Sequence, residues 1–227
     1  MDEEYTSLIE NKTWDIVPLP KGRQAIGSQW IYKVKQHSDG SVERFKARFV
    51  AKGYSQEHGV DYDETFSPVF KLTSLQILLS ISAIHDLEIH HMDVKMAFLN
   101  GEVDSEIYVE QPQGYELRNG QPGAKLVCKL KKGLYGLKQA ARLWNRKIDQ
   151  YLQANGFRRC EADPCIYIRQ ASAHPILLCI WVDDIVIIAH KNDIHTVKDT
   201  LRQHFKMMDL GQASYLLGMM ITYNCMA

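Results

Sequence analysis

The sequence predicts an α+β fold, a sheet with helices on one face. Two observations carry that expectation. The runs 176–182 (ILLCIWV) and 185–189 (IVIIA) are apolar and two residues apart, as in a hairpin whose strands are buried on both faces. From residue 72 onward the order reads helix, strand, insertion, helix, paired strands, helix, strand. Mixed elements around a central hairpin suit one sheet covered by helices.

The first seventy residues are rich in turns and aromatics, punctuated by Pro18, Pro20, Gly22 and Gly27. Residues 28–35 (SQWIYKVK) alternate apolar and polar, which predicts a half-buried strand. Ser38, Asp39, Gly40 and Ser41 supply turn chemistry, and 42–51 (VERFKARFVA) predicts the returning strand of a β-hairpin. Pro68 precedes a helix capped by Thr73 or Ser74, with Leu75, Leu78, Leu79 and Ile81 on its apolar face. Residues 88–94 (EIHHMDV) and 125–130 predict short strands. Leu137, Ala141, Trp144, Ile148, Tyr151 and Leu152 recur at helical spacing, which predicts a helix within 136–155 closed by Gly156. Residues 165–169 (CIYIR) predict another strand. Asp193 is the expected cap of a last helix carrying Ile194, Val197, Leu201 and Phe205, and 215–223 a final strand or hairpin.

The acidic pair Asp183-Asp184 sits between the two apolar runs. An acidic dipeptide is usually a solvated turn. Here the buried flanks place both carboxylates at the tip of a rigid hairpin. Two such charges repel by roughly 4 kcal/mol at ~4 Å and an effective dielectric near 20. A divalent cation relieves this, and oxygen ligands favour magnesium or manganese over zinc. Asp93, at the end of the 88–94 strand, is the candidate third carboxylate; alone it reads equally well as a turn cap. His90 and His91 lack a third histidine at ligand spacing and read as flanking structural residues. No nucleophile motif of the GxSxG type and no GxxxxGK[ST] loop occurs.

Lys plus Arg and Asp plus Glu number 27 each, so the formal net charge is zero. A chain that is 45% hydrophobic and 24% charged is not a disordered one. Its positive charge is gathered locally. Lys129, Lys131, Lys132, Lys138, Arg142, Arg146 and Lys147 lie in a span without a single acid. Lys33, Lys35, Arg44, Lys46, Arg48 and Lys52 gather on the first hairpin. Solvated faces are the ordinary fate of such residues. Interleaved aromatics (Tyr32, Phe45, Tyr135, Trp144) and a carboxylate site elsewhere favour a polymerised phosphate partner. Lys131, Lys132, Lys138 and Arg142 are the expected nucleic-acid contacts. The five cysteines, including Cys225, show no CxxC spacing and read as reduced thiols. No apolar run reaches membrane-span length, and the acidic start Met1-Asp2-Glu3-Glu4 predicts no signal peptide, hence an intracellular protein.

Several long motifs then stand in one order: NKTWDIVPLP at 11–20, DGSVERFKARFVAKGY within 26–54, DYDETFSPV at 61–69 and HHMDVKMAFLNGEV at 90–103. EIYVEQPQGY at 106–115, VCKLKKGLYGLKQAARLW at 127–144, WVDDIVI at 181–187 and DLGQASYLLGMMI at 209–221 continue them. Together they resemble the reverse transcriptase domain of copia-like long-terminal-repeat retrotransposon polyproteins, nearly end to end.

The resemblance implies an RNA-directed DNA polymerase of right-hand design. Residues 1–70 and about 100–130 would be fingers. Residues 71–99 and 131–227 would be a palm, an antiparallel sheet with helices on one face, and the thumb would be absent. It puts the catalytic carboxylates on Asp93, Asp183 and Asp184, which with the Val94 carbonyl would hold two magnesium ions, manganese substituting. It assigns the incoming nucleotide to Phe98, Lys46, Arg48 and Gln139, with Phe98 under the sugar, and adds Trp181 to the nucleic-acid contacts. Implied partners are a primed RNA or DNA template, deoxynucleoside triphosphates and the remaining polyprotein regions (RNase H, integrase, protease, capsid), in a cytoplasmic virus-like particle. Without a thumb the chain alone would extend primers weakly. Two departures from the family pattern stand out: Trp181 replaces the usual Tyr before Val-Asp-Asp, and Ala141 replaces a Pro. They keep open an alternative, a decayed remnant that binds nucleic acid without catalysis.

Overall fold

The computed structural model describes residues 1–37, 39–117, 125–171 and 174–223. The expected turn residue Ser38 and the thiol Cys225 fall outside the described residues. In chain order the elements are α1 (Asp2–Glu10), β1 (Trp14–Pro18), β2 (Ser28–Gln36), β3 (Val42–Ala51), α2 (Leu72–Ile84) and β4 (Glu88–Val94). Then come β5 (Tyr108–Val109), β6 (Leu126–Leu130), α3 (Ala140–Ala154), β7 (Arg158–Arg159), β8 (Ile166–Arg169) and β9 (Ile176–Trp181). β10 (Asp184–Ala189), α4 (Lys191–Arg202), β11 (Met207–Gln212), β12 (Tyr215–Leu216) and β13 (Met219–Met220) complete the fold. The fold is α+β with antiparallel sheets, as expected.

Two compact units divide the chain: Met1–Ser67 with Phe98–Lys147, and Pro68–Ala97 with Ile148–Ala227. In the first, β2 and β3 form a two-stranded ribbon and β1-β6-β5 a small sheet. An aromatic cluster of Tyr5, Trp14, Trp30, Phe49 and Tyr115 packs the base of the ribbon. Farther along the ribbon Tyr32 and Phe45 are exposed. A tight crossing lies beside it, where Ala51 donates its N–H to the Tyr135 carbonyl at 2.8 Å and Gly136 takes φ +91°.

The second unit is a six-stranded sheet in the order β11-β4-β10-β9-β8-β7. Helices cover both of its faces, which corrects the one-face expectation. Leu75 and Leu78 of α2 pack with Ile89, Cys179, Val186 and Ile188, all on one face by register. On the other face, Lys198 of α4 bonds the His90 ring at 2.9 Å, and Asp149 of α3 accepts from the Tyr167 hydroxyl at 2.9 Å. The reason lies in β9 and β10. Ile176–Ile180 and Ile185–Ala189 are buried at every position, so each face needs a cover.

Helix starts also differ from expectation. His190, not Asp193, is the N-cap of α4, its ring accepting from the Asn192 N–H at 3.4 Å. Helix α3 begins at Ala140, because the 135–139 segment turns instead. Gly156 does follow that helix at φ +81°, as a C-terminal cap requires. Lys71, not Thr73 or Ser74, is the N-cap position of α2. The acceptor comes from afar: buried Asp163 takes the Lys71 N–H at 3.1 Å, the Ser74 hydroxyl at 2.7 Å and the Cys165 N–H at 3.0 Å. Asp163→Ala leaves these donors unmet, and we expect a loss of about 2–3 kcal/mol, read as a lower urea midpoint. An unchanged midpoint counts against the cap.

Buried Lys198 also ties α4 to β11, bonding both Asp209 oxygens at 2.7 and 3.0 Å, and Arg202 adds a third bond at 2.7 Å. Burial raises the Asp209 pKa, but the bonds from Lys198, the Gly211 N–H and Arg202 outweigh it and bring it down to about 2. The linked stability is fully present above the ordinary value of 3.8 and is lost as pH falls through about 2. Strand β11, α1 and β1 have no counterpart in the sequence reading.

Candidate active site

The β9–β10 hairpin closes through Val182 and Asp183, with Trp181 opposite Asp184. A two-residue hairpin needs a positive φ at its first turn residue, and Val182 takes φ +53°. A β-branched residue there is a genuine outlier that costs on the order of 1–3 kcal/mol. The turn is held from the side: Val94 donates its N–H to the Asp183 carbonyl at 2.7 Å.

Strand β4 runs antiparallel beside β10, and Asp93 stands directly opposite Asp184. Residues opposite one another project to the same face, so the two carboxylates are neighbours there. Like charges directly opposite destabilise a sheet, unless something between them compensates. Asp184 therefore, rather than Asp183, is the register partner of Asp93, while Asp183 occupies the turn. Val94 is buried beside them. The Asp184 carboxylate is turned onto His91, with Nε2 to Oδ1 at 2.6 Å. Among the described residues no group of three or more His, Cys, Asp or Glu side chains stands assembled for a metal. The side chains that Asp93, Asp183 and Asp184 bring to this end of the sheet are nevertheless carboxylates, oxygen donors of the kind that fits magnesium or manganese. Trp181, 40% exposed, lines a cavity of about 40 Å³ with Phe70, Leu75, His91 and Leu217.

The remaining expected site residues lie in the first unit. Phe98 is half-buried in a 3₁₀ turn (Ala97–Asn100), and its ring meets Tyr135 edge-on at 4.7 Å. The Arg48 guanidinium lies over the Tyr135 ring, 4.6 Å from its centroid. Tyr135 thus links two residues that the sequence named separately, a role its sequence position alone does not signal. Lys46, on β3, has its pKa lowered by burial and by Arg48 and Arg44.

Gln139 is a correction. It is 0% exposed, its Nε2 donates to the Asp61 carbonyl at 2.8 Å, and its Oε1 accepts from Gln56 at 3.0 Å. Its amide is buried and both of its ends brace the unit from inside, where the resemblance implied an open nucleotide contact. Lys138 is likewise engaged, donating to the Gln56 carbonyl and the Tyr62 hydroxyl at 3.2 Å each.

The basic span 129–147 is not a free charge row either. Lys129 pairs with Glu106, Lys131 with Asp15 at 2.6 Å, and Arg142 and Arg146 share Asp104 at 3.1 and 3.4 Å. Burial lowers the Lys132 pKa, which Glu102 partly offsets. The ribbon behaves differently. On one face it sets Lys33 against Lys46 and Lys35 against Arg44, with Arg48 opposite Ile31 in the same row. Lys33, Lys35 and Lys46 have no ion pair among the described residues, and Arg44 reaches Glu43 at 3.7 Å. Directly opposed like charges are unfavourable by themselves and favourable once a polyanion lies across them.

No helix among the described residues is long and apolar enough to cross a membrane. The family described as reverse transcriptase (RNA-dependent DNA polymerase) matches residues 11–226. Over 97% of its length the chain is 44% identical to a retrovirus-related Pol polyprotein from transposon TNT 1-94 of Nicotiana tabacum, covering 17% of that protein. It is 40% identical, over 96% of its length, to the polyprotein from transposon RE1 of Arabidopsis thaliana, covering 15%. It is 28% identical, over 98% of its length, to the Transposon Ty1-GR1 Gag-Pol polyprotein of Saccharomyces cerevisiae, covering 13%. The chain thus spans about a sixth of the length of the curated relatives it matches. It belongs to the reverse transcriptase (RNA-dependent DNA polymerase) family, and within it to the copia-like retrotransposon Pol polyproteins.

Proposed function

We propose that this chain is the catalytic part of an RNA-directed DNA polymerase, adding deoxynucleotides to a primer 3′-hydroxyl. One observation carries the reading: Asp93 stands opposite Asp184 at the end of a rigid, buried strand pair, with Asp183 in the adjoining strained turn. The second unit serves as palm and the first as fingers. Asp93, Asp183, Asp184 and the Val94 carbonyl would hold two magnesium ions, or manganese in their place. When bound, such ions stabilise the charge on the attacking and leaving oxygens of an in-line displacement. The primer 3′-oxygen forms a bond to the α-phosphorus, and the bond to the β-phosphate oxygen breaks, releasing pyrophosphate. The protein's share is positioning, since phosphoryl transfer asks little covalent chemistry of side chains. The rigid strand pair supplies it.

Lys46 and Arg48 bind the triphosphate of the nucleotide. The partners are a primed RNA or DNA template, deoxynucleoside triphosphates and the other regions of a Pol polyprotein, in a virus-like particle. Primer extension on a homopolymer RNA template, with and without magnesium, tests the reading, using the chain alone and with downstream polypeptide of the TNT 1-94 type in cis. Magnesium-dependent synthesis supports it. Binding of primer–template without synthesis in either form points to the non-catalytic remnant, with Trp181 and Ala141 the first residues to restore.

Sugar choice falls to Phe98 in this reading. Phe98→Ala is expected to raise ribonucleotide incorporation relative to deoxynucleotide by roughly 10–100-fold, the range of a single steric contact. Unchanged discrimination in an active enzyme makes Phe98 a core residue that props Tyr135.

Lys33, Lys35 and Arg44 of the ribbon bind nucleic-acid phosphates. Replacing Lys33, Lys35 and Arg44 with Ala should flatten the dependence of log affinity on log salt by roughly 2–3 in slope. Lys131→Ala should change it far less, because Lys131 already pairs with Asp15. Equal slopes for the triple variant and the unaltered chain overturn the ribbon as a phosphate site.

A further inference from the structure

We infer that His91 is a positioning residue that orients the Asp184 carboxylate toward a divalent cation. The inference rests on the reading of Asp93, Asp183 and Asp184 as cation ligands. His91 lies two residues before Asp93 on β4, and its register partner Val186 lies two residues after Asp184 on β10. All four positions share one sheet face, so the ring reaches Asp184 along the cross-strand diagonal, at 2.6 Å from Nε2 to Oδ1. An ionised carboxylate is acceptor-only, so Nε2 carries the proton and donates.

The two partners live in different surroundings. The His91 side chain is 17% exposed and the Asp184 side chain 42%. Around the ring, Phe70, Leu75, Trp181, Val186 and Leu217 line the cavity. An apolar wall keeps water from competing for the bond and strengthens it. The donor is thus held inside, and the acceptor sits at the surface with one oxygen fixed. Oδ2 has no hydrogen-bond partner among the described residues and is the atom left to face a cation beside Asp93. Outer hydrogen bonds of this kind fix the orientation of ligating carboxylates, and their loss typically costs 10–100-fold in metal affinity. Neither the register nor the apolar cavity is visible in the dipeptide His90-His91 as a sequence feature.

Manganese titration of the whole chain, followed by electron paramagnetic resonance, tests this on three proteins: unaltered, His91→Leu and His91→Gln. Leu keeps the cavity filled and removes the N–H; Gln restores a donor. His91→Leu is expected to weaken manganese binding roughly 10–100-fold, and His91→Gln to recover most of it. Equal affinity in the unaltered and Leu chains overturns the inference while leaving the cation site standing. No manganese binding by the unaltered chain, or binding unaffected by Asp183→Asn, overturns the underlying assignment instead. If the Leu variant does not fold, ¹⁵N spectra of the unaltered chain decide. The His91 Nε2 resonance is expected in its protonated form and should move on saturation with magnesium. A resonance that magnesium leaves in place overturns the positioning role.

Discussion

Asp183→Asn is expected to lower primer extension at least ~1,000-fold, equivalent to about 4 kcal/mol of transition-state stabilisation. The substitution keeps the size of the side chain and removes the negative charge. Its backbone carbonyl still accepts the Val94 N–H, so the hairpin tip stays docked on β4. The thermal midpoint and the affinity for primer–template should therefore stay close to those of the unaltered chain. Asp93→Asn is expected to behave alike, and it also removes the repulsion between Asp93 and the directly opposed Asp184. A small gain in stability alongside a large loss of activity would be the signature of a site in which like charges are kept together for a cation. Extension that survives Asp183→Asn at near-normal rate removes the hairpin tip from the chemistry. A parallel loss of folding and activity instead makes Asp183 structural.

Gly136→Ala is expected to destabilise the chain by roughly 3–6 kcal/mol, a large share of a domain's ordinary stability of about 5–15 kcal/mol. Two effects add. The residue takes φ +91°, a region that side chains strain to adopt. An added Cβ would also lie 2.0 Å from the Ala51 carbonyl oxygen and 2.6 Å from a Val50 methyl group. Backbone cannot yield there, because the Ala51 N–H is bonded to the Tyr135 carbonyl. Gly53 faces the same crossing, its added Cβ falling 2.0 Å from the Gly136 oxygen. Gly40→Ala is the control: φ is +84° and an added Cβ meets nothing within 4 Å, so about 1 kcal/mol is expected. Comparing urea midpoints separates the steric from the conformational part. Equal losses at both positions would mean that the crossing relaxes and only φ matters. Because Tyr135 touches both Phe98 and Arg48, a Gly136 variant that does fold should also show weaker nucleotide binding.

Much of the second unit is legible in the sequence. Two apolar runs separated by two residues point to a tight hairpin and locate it to within one residue: the turn is Val182-Asp183, and Asp184 already belongs to β10. Helical spacing likewise locates α2, α3 and α4, and Gly156 marks the end of α3. Helix starts are less legible, because a cap can be supplied from anywhere. Asp163 reaches α2 from about ninety residues away, and no local signal announces it. Helices on both faces follow from the burial of β9 and β10 on each side, which the apolar runs signal but which the order of elements along the chain does not.

Charge and register divide the molecule most clearly into what the sequence by itself determined and what only the tertiary structure decided. The sequence alone determined the family, through motifs spread along the chain, and the antiparallel hairpin, which depends on residues close together. It also showed two basic stretches, but not their fates. Asp15, Asp104 and Glu106 neutralise one of them from distant positions, while strand pairing sets the cations of the other against each other. Only the structure decided that Asp184 rather than Asp183 opposes Asp93, that His91 reaches that carboxylate, and that Gln139 is buried. The physical reason is common to all of these. Electrostatic and hydrogen-bond partners are chosen by distance in space, and a one-residue change of strand register exchanges every partner at once.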